Sequence, residues 1–268
     1  MLKLIKLYPH FLLIPIVGAL VLLFVAARMV AAGVSFVAAA LVLIIGFAIL
    51  CILGMSYAVN ANQNKLCWLY QDLEPERFVV MYEKLLPRAK KDPDLEVNLR
   101  AHMANGYAAY GEFDKALEVM DNAPEIPDET LNRTAKILLL NNRAQIYFQL
   151  EQAEKGKECM DQMRVLLAQS SEALQKQYEE NLRMMRCHYE ALTGVCRDDA
   201  YLREVVRNST TNLFRVNASL LLARVYLSQG EPEMARAYLE QTYEKGRDWL
   251  WPTQKAVEMM KALPPAEN

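Results

Sequence analysis

Hydrophobic and polar positions follow two different patterns along the chain. Residues 11–57 are apolar almost without a break, and Arg28 is the single charge among them. Beyond residue 65, apolar side chains recur at every third or fourth position, which is the period of an amphipathic helix. The pattern therefore predicts an all-α protein, with a helical membrane anchor followed by a larger helical domain.

The apolar part is long enough for two membrane-crossing helices. We predict the first over residues 11–32 and the second over residues 34–57, because about 20 apolar residues at about 1.5 Å each cross the hydrocarbon core. Gly33 and Ser35 mark the turn between them. A cleaved signal peptide is the alternative for the first helix, since residues 1–6 are basic and small residues follow the apolar run.

The distribution of positive charge predicts which side of the membrane each end occupies. Lys3 and Lys6 lie in the segment 1–10 and outnumber Arg28, which lies near the turn of the hairpin. By the positive-inside rule, both chain ends are expected in the cytoplasm of a bacterial-type cell, beneath the inner membrane. A helical domain outside the cell that acts in envelope assembly is the alternative.

A repeated group of residues organises the chain after the apolar part. Ala104, Ala144 and Ala223 each stand three residues before a tyrosine, and the turn-forming position follows four residues after that tyrosine, at Gly111, Glu151 and Gly230. The tyrosines at 70, 107, 147, 189 and 226 are 37 to 42 residues apart. Each is predicted to mark one helix-turn-helix unit.

The predicted units follow one another directly. Residues 58–94 are expected to form a linking hairpin that is ended by Pro87 and the segment 90–94, where Asp92 before a proline is held out of the helix and Asp94 caps the next one. The repeat domain covers residues 95–268, with turns at Gly111, Glu151, Gly194 and Gly230 and a closing helix over residues 253–263. The unit around Tyr189 is irregular, because Arg186 replaces the small residue.

One family shows the same residues in the same order. Ala104, Tyr107, Gly111, the turn Glu112-Phe113-Asp114 and Ala116 resemble the tetratricopeptide repeat. The resemblance covers about residues 95–245, with spacings longer than the family's 34 residues and without its usual tryptophan. It implies an α-solenoid whose first helices line a concave face that binds a protein or peptide.

The residues aligned with that concave face are mainly carboxamides. A carboxamide offers one acceptor and two donors, so it pairs with the backbone of an extended peptide. Two arginines among them are expected to hold a peptide carboxylate through paired hydrogen bonds. The predicted partner-binding residues are Asn98, Asn105, Asn141, Gln145, Gln149, Arg183, Asn217, Arg224 and Ser228.

Candidate catalytic chemistry is sparse. The three histidines lie far apart in sequence, and Cys187 and His188, as neighbours on a helix, point about 100° apart. Residues 58–268 carry 27 basic against 32 acidic residues, so nucleic-acid binding is not expected. The five cysteines form no CxxC pair. We therefore expect no enzyme activity, metal or cofactor.

The sequence as a whole predicts a membrane-anchored adaptor or scaffold. Its anchor, residues 11–57, lies in the lipid bilayer, and its repeats bind a protein or peptide partner at the cytoplasmic face. The alternative from another class is a catalytic or non-catalytic subunit of a membrane enzyme complex.

Overall fold

The computed structural model describes residue 7, residues 12–196 and residues 198–264, and the chain divides into two compact units, 1–66 and 67–268. The described residues contain twelve helices and no strand, which confirms the all-α prediction. The helices are α1 Leu13–Ala31, α2 Phe36–Tyr70, α3 Pro75–Ala89, α4 Pro93–Tyr110, α5 Phe113–Asp121, α6 Glu129–Gln149, α7 Ala153–Ala168, α8 Glu172–Leu192, α9 Asp199–Asn208, α10 Asn212–Ser228, α11 Pro232–Lys245 and α12 Trp251–Ala262.

Helices α1 and α2 are both long and apolar enough to cross a membrane, with mean hydropathies of 2.5 and 3.1. Large apolar side chains point outward on both, and Phe24 and Phe36 are 69% and 78% exposed. A methyl group added at Gly18 would lie 2.3 Å from the Leu50 side chain. This glycine therefore gives the leucine of the facing helix room to pack.

The turn between these helices is as predicted, but α2 is longer than the predicted span. Gly33 has a left-handed backbone with φ 87°, and the Ser35 hydroxyl accepts a hydrogen bond from the Ala38 N–H at 3.3 Å. Helix α2 continues to Tyr70, and its last residues 66–70 are mainly apolar. Residues 58–70 thus extend α2.

Of the two helix boundaries predicted near residue 90, one is correct and one is wrong. Helix α3 includes Pro87 and ends at Ala89, directly before the segment 90–94. Asp92, rather than Asp94, caps α4, since its carboxylate accepts from the Leu95 N–H at 3.2 Å. The reason is that Asp92 precedes Pro93 and is held extended, which is the backbone conformation of a cap.

From α4 onward, most helices pack in consecutive pairs: α4 with α5, α6 with α7, and α10 with α11. The predicted small residues lie at their crossings, and Ala104, Ala144 and Ala223 are completely buried. On α7 the corresponding residue is Gly156, where a methyl group would come within 2.4 Å of the Phe148 ring. A larger side chain at these positions would separate the two helix axes.

The turns within the pairs share one backbone conformation. Gly111, Gly194 and Gly230 have φ between 74° and 86°, and Glu151 adopts the same left-handed conformation with φ 61°. The following N–H then reaches back to a carbonyl near the helix end, which belongs to a tyrosine in three turns, as from Glu112 to Tyr107 at 2.9 Å, and to Glu190 in the turn at Gly194. This hydrogen bond closes the helix end, so Glu151 forms the predicted turn although it is not a glycine.

Three of the repeated tyrosines join one pair to the pair before it. The Tyr107 hydroxyl donates to Glu83 on α3 at 2.7 Å, and the Tyr189 hydroxyl donates to Glu154 on α7 at 3.5 Å. The Tyr226 hydroxyl accepts from Arg203 on α9 at 3.0 Å.

The other two tyrosines make different contacts. The Tyr147 ring lies 5.6 Å from the Lys155 ammonium group of its own pair. The Tyr70 hydroxyl accepts from the Asn105 side chain at 3.2 Å. The five tyrosines therefore share a position in the repeat, and three of them also share a role.

The irregular unit differs as its sequence suggested. Arg186 is exposed, and among the described residues α8 and α9 lack the close backbone approach of the other pairs. Helix α8 packs instead on α6, α7 and α10, and α9 packs on α10. A large residue at the crossing position therefore coincides with a pair whose helix backbones stay further apart, although Cys187 of α8 and Leu202 of α9 share a buried cluster. We call α8 and α9 the open pair in this sense.

The first helices of the pairs form a row. Helix α6 packs between α4 and α8, and α8 packs in turn on α10. The closing helix α12 contacts α10 and α11 and also reaches α4. The Trp251 and Phe113 rings lie 5.5 Å apart, and the Trp249 indole donates to the Leu73 carbonyl at 2.9 Å. Helix α12 and the residue Trp249 before it are thereby held against the beginning of the row.

Candidate functional site

A cavity of about 130 Å³ lies where the first helices of the row meet. Five of the nine predicted binding residues line it: Asn105, Asn141, Gln145, Gln149 and Asn217. The remaining lining residues are Tyr70, Ala108, Ala109, Asn142, Ile146, Asn181, Leu213 and Phe214. We call this space the carboxamide cavity.

Helical spacing explains why α6 contributes most of the polar wall. Asn141, Gln145 and Gln149 follow one another at intervals of four residues, so their side chains lie on the same face of the helix. Asn105 on α4 and Asn217 on α10 complete the polar lining from neighbouring helices. Phe214, which is 40% exposed, brings an aromatic ring to the same cavity.

Three of the lining carboxamides bind one another. Asn181 donates to Asn141 at 3.0 Å, Asn141 donates to Asn142 at 3.1 Å, and Asn142 donates to the Ala101 carbonyl at 2.9 Å. This chain of hydrogen bonds links α8, α6 and α4. Because Asn141 and Asn142 are buried, these bonds compensate the loss of water from their polar groups.

Other groups that line the cavity have donors or acceptors without a hydrogen-bond partner. The side chains of Gln145 and Asn217 form no hydrogen bond within the described residues, and the Gln149 side-chain oxygen is buried without a partner. The Tyr70 hydroxyl accepts from Asn105, and its own proton has no acceptor in the described part of the chain. The cavity thus offers an unused acceptor and an unused donor, and a buried acceptor left unpaired is costly.

Asn98 and Ser228 lie outside the cavity. The Asn98 side chain donates to the Asp94 carbonyl at 2.7 Å, and the Ser228 hydroxyl donates to the Val225 carbonyl at 2.7 Å. Each side chain is therefore bound to its own helix.

The two predicted arginines also lie elsewhere. Arg183 holds both carboxylate oxygens of Asp198, at 2.9 and 3.2 Å. Arg224 donates to Glu151 at 2.8 Å, and burial lowers the pKa of Arg224 from its ordinary value. Carboxylates of this chain thus occupy the groups that we expected to hold a peptide carboxylate.

Sequence reasoning missed three polar lining residues: Tyr70, Asn142 and Asn181. Asn181 follows Asn141 by 40 residues, which is within the range of the repeat spacing, so the repeat itself carried that signal. Asn142 carried none, because it stands at a buried position where an apolar residue is expected.

The two described histidines are partly buried among aromatic rings, and the Nδ1 atom of each is shielded from solvent. Burial lowers the pKa of His102 to about 4 and that of His188 to about 3. His102 lies 5.3 Å from the Tyr82 ring, and His188 stacks on Phe148 at 5.9 Å. Both are therefore neutral packing residues at physiological pH.

The thiols of Cys187 and Cys196 interact. The hydrogen bond from Cys187 lowers the pKa of Cys196 to about 7 and raises that of Cys187. Within the described residues, no group of three or more histidines, cysteines or carboxylates is arranged to hold a metal ion.

Comparison of the chain with protein-family models, with curated proteins and with solved structures gives no match. The geometry of the carboxamide cavity and the pattern of the repeats are therefore the basis for a functional proposal.

Proposed function

We propose that this chain is a membrane-anchored adaptor that captures a short segment of a partner protein in the carboxamide cavity. In this proposal, residues 95–245 are tetratricopeptide-like repeats of an α-solenoid. The shared left-handed turns and the buried alanines at the helix crossings support that assignment.

The unpaired Gln149 oxygen is the observation that carries the proposal. A peptide N–H placed there would satisfy this buried acceptor, and a peptide carbonyl would satisfy the free Tyr70 proton. The volume of 130 Å³ equals that of about four water molecules at about 30 Å³ each, so a chain end or loop tip fits and a folded domain does not.

The proposed anchor consists of α1 and α2 as a membrane-crossing hairpin, with both chain ends in the cytoplasm. Helix α1 at 19 residues and α2 at 35 residues are each long enough for this role. Anchoring confines the captured partner to the membrane surface and raises its effective concentration there. The chain itself performs no chemistry in this proposal.

Site-specific crosslinking in living cells tests the capture. A photoreactive phenylalanine analogue at Phe214 is expected to crosslink a defined partner, and Gln149→Leu should abolish that product because it removes the open acceptor. Gln229→Leu, at an exposed carboxamide outside the cavity, is the matched control and should leave the product unchanged. Equal crosslinking in both variants would contradict the proposal.

Orientation is tested separately. A cysteine placed at Lys261 in a chain whose five native cysteines are replaced by alanine should resist a membrane-impermeant maleimide in intact cells. It should react after the membrane is opened. Labelling in intact cells would place the repeats outside.

A further inference from the structure

A second and larger cavity, of about 510 Å³, shares no residue with the carboxamide cavity. It is formed by the segment after α2, the end of α9, the start of α10 and the end of α11. Its lining residues are Gln71, Leu73, Val206, Arg207, Asn212, Arg215, Ser219, Gln241, Glu244, Lys245, Gly246 and Arg247.

Positive charge dominates this cavity. Four cations line it, at Arg207, Arg215, Lys245 and Arg247, against the single carboxylate of Glu244. This balance is opposite to that of residues 58–268 as a whole, where acidic residues outnumber basic ones. None of the four forms an ion pair within the described residues, so their charges remain uncompensated there.

The walls hold these charges in place. The Arg215 Nε donates to the Ser209 carbonyl at 2.8 Å, which fixes the guanidinium group and leaves its two terminal nitrogens free to donate. The Asn212 side chain donates to the Gln71 carbonyl at 2.7 Å, and the Gln71 side chain donates to the Thr210 carbonyl at 2.6 Å. Two hydrogen bonds thereby fix Gln71, just after α2, against the start of α10.

The start of α10 adds to the positive potential. Its first turn contains no acidic residue, and the preceding Thr211 makes no side-chain cap. A helix N-terminus presents unpaired N–H groups and a partial positive charge, so a cation such as Arg215 is unfavourable there without an anion. Arg207 and Lys245, by contrast, lie at helix C-termini, where cations are favoured.

We propose that this cavity binds a phosphate group, carried either by a small soluble molecule or by a lipid headgroup. Guanidinium groups match the geometry of phosphate oxygens with paired hydrogen bonds, and the 510 Å³ volume accommodates a small phosphorylated molecule or a lipid headgroup. This site is independent of the proposed peptide capture.

The test uses the full-length chain in nanodiscs of phosphatidylcholine. Calorimetric titration with pyrophosphate probes a soluble anion, and retention of phosphatidylglycerol through delipidation, measured by mass spectrometry, probes a lipid headgroup. The double variant Arg207→Gln with Arg247→Gln should weaken binding of the effective probe at least tenfold. Glu244→Gln should strengthen it about threefold, because it removes the one opposing charge.

The matched control is the double variant Lys84→Gln with Lys90→Gln, which removes two exposed positive charges of α3 and the residue after it. It should bind like the unaltered chain, and all variants should keep its melting temperature. Binding of pyrophosphate identifies a soluble phosphate ligand, whereas selective retention of phosphatidylglycerol alone identifies a headgroup. Failure of both probes, or an equal loss in the control variant, overturns the proposal.

Discussion

The pairs α10–α11 and α8–α9 follow the same repeat but differ at the crossing position and in the connection between their helices, residues 229–231 against residues 193–198. Ala223 at the crossing of α10 and α11 is completely buried, and the two helices pack closely. Arg186 at the corresponding position of α8 is exposed, and the backbones of α8 and α9 stay further apart, with contact through side chains such as Cys187 and Leu202. The turn residues Gly230 and Gly194 share a left-handed backbone conformation. The comparison teaches that the same turn occurs in both pairs, whereas close backbone packing accompanies the small crossing residue.

Replacing a crossing residue by leucine should have the largest effect on the free energy of unfolding. Ala223→Leu forces the close pair apart and is expected to lower the free energy of unfolding by about 3 kcal/mol. Arg186→Leu, at the same position of the open pair, should change it by less than about 0.5 kcal/mol. Urea unfolding of the detergent-solubilised chain, followed by circular dichroism, measures both. Similar losses in the two variants would show that the crossings are alike.

Acid should loosen α8 from the preceding pair, because α8 is held there partly by the stack of His188 on Phe148. The pKa of His188 is depressed to about 3, so its neutral form stabilises the fold above the unfolded value of about 6.5, and this contribution is lost as the pH falls toward 3. At pH 5 the loss is about 2 kcal/mol. His188→Phe should reduce the slope of the pH profile of stability between pH 7 and 5 by about half, because His102 with its pKa of about 4 contributes a similar slope. An unchanged slope would contradict the assignment.

The turns should respond equally in the two pairs. Gly194→Ala and Gly230→Ala both place a side chain on a left-handed backbone with open space around it, so only backbone strain contributes. Each is expected to lower the free energy of unfolding by about 1 kcal/mol. Thermal unfolding of the two variants side by side measures this, and unequal shifts would show that the turns are not equivalent.

The smallest effect on stability is expected for the ion pair between Arg183 of α8 and Asp198 before α9. Arg183 and Asp198 are joined by two hydrogen bonds, with side chains 42% and 37% exposed. A double-mutant cycle with Arg183→Gln and Asp198→Asn should give a coupling of about 0.5 kcal/mol that fades at 1 M salt. Salt-independent coupling would mean that this bridge holds the open pair more firmly than its exposure suggests.

Local features of the fold, such as the turns, could be predicted from the sequence, whereas contacts between residues far apart in the chain could not. The tyrosine spacing located the turns, including the one at Glu151, because a left-handed helix end depends on nearby backbone atoms. The contact of α12 with α4 and the hydrogen bond of Trp249 to Leu73 span more than a hundred residues. No local period reports such contacts.

The carboxamide cavity shows the same division. Asn141, Gln145 and Gln149 share a face of α6, so helical spacing was enough to group them. Arg183 and Arg224 were each aligned with the predicted concave face, yet their side chains turn toward Asp198 and Glu151. An alignment fixes where a residue stands on a helix, whereas nearby charges decide which way a long side chain extends.

Helix α12 has a consequence for how the chain is made. Its ring contact between Trp251 and Phe113 joins residues 138 positions apart, so α4 and α5 leave the ribosome long before their last neighbour exists. At about 5–20 residues per second, that interval lasts roughly 7 to 28 seconds. During translation the early repeats thus remain uncovered, and a chaperone that shields nascent apolar surface would act in this window.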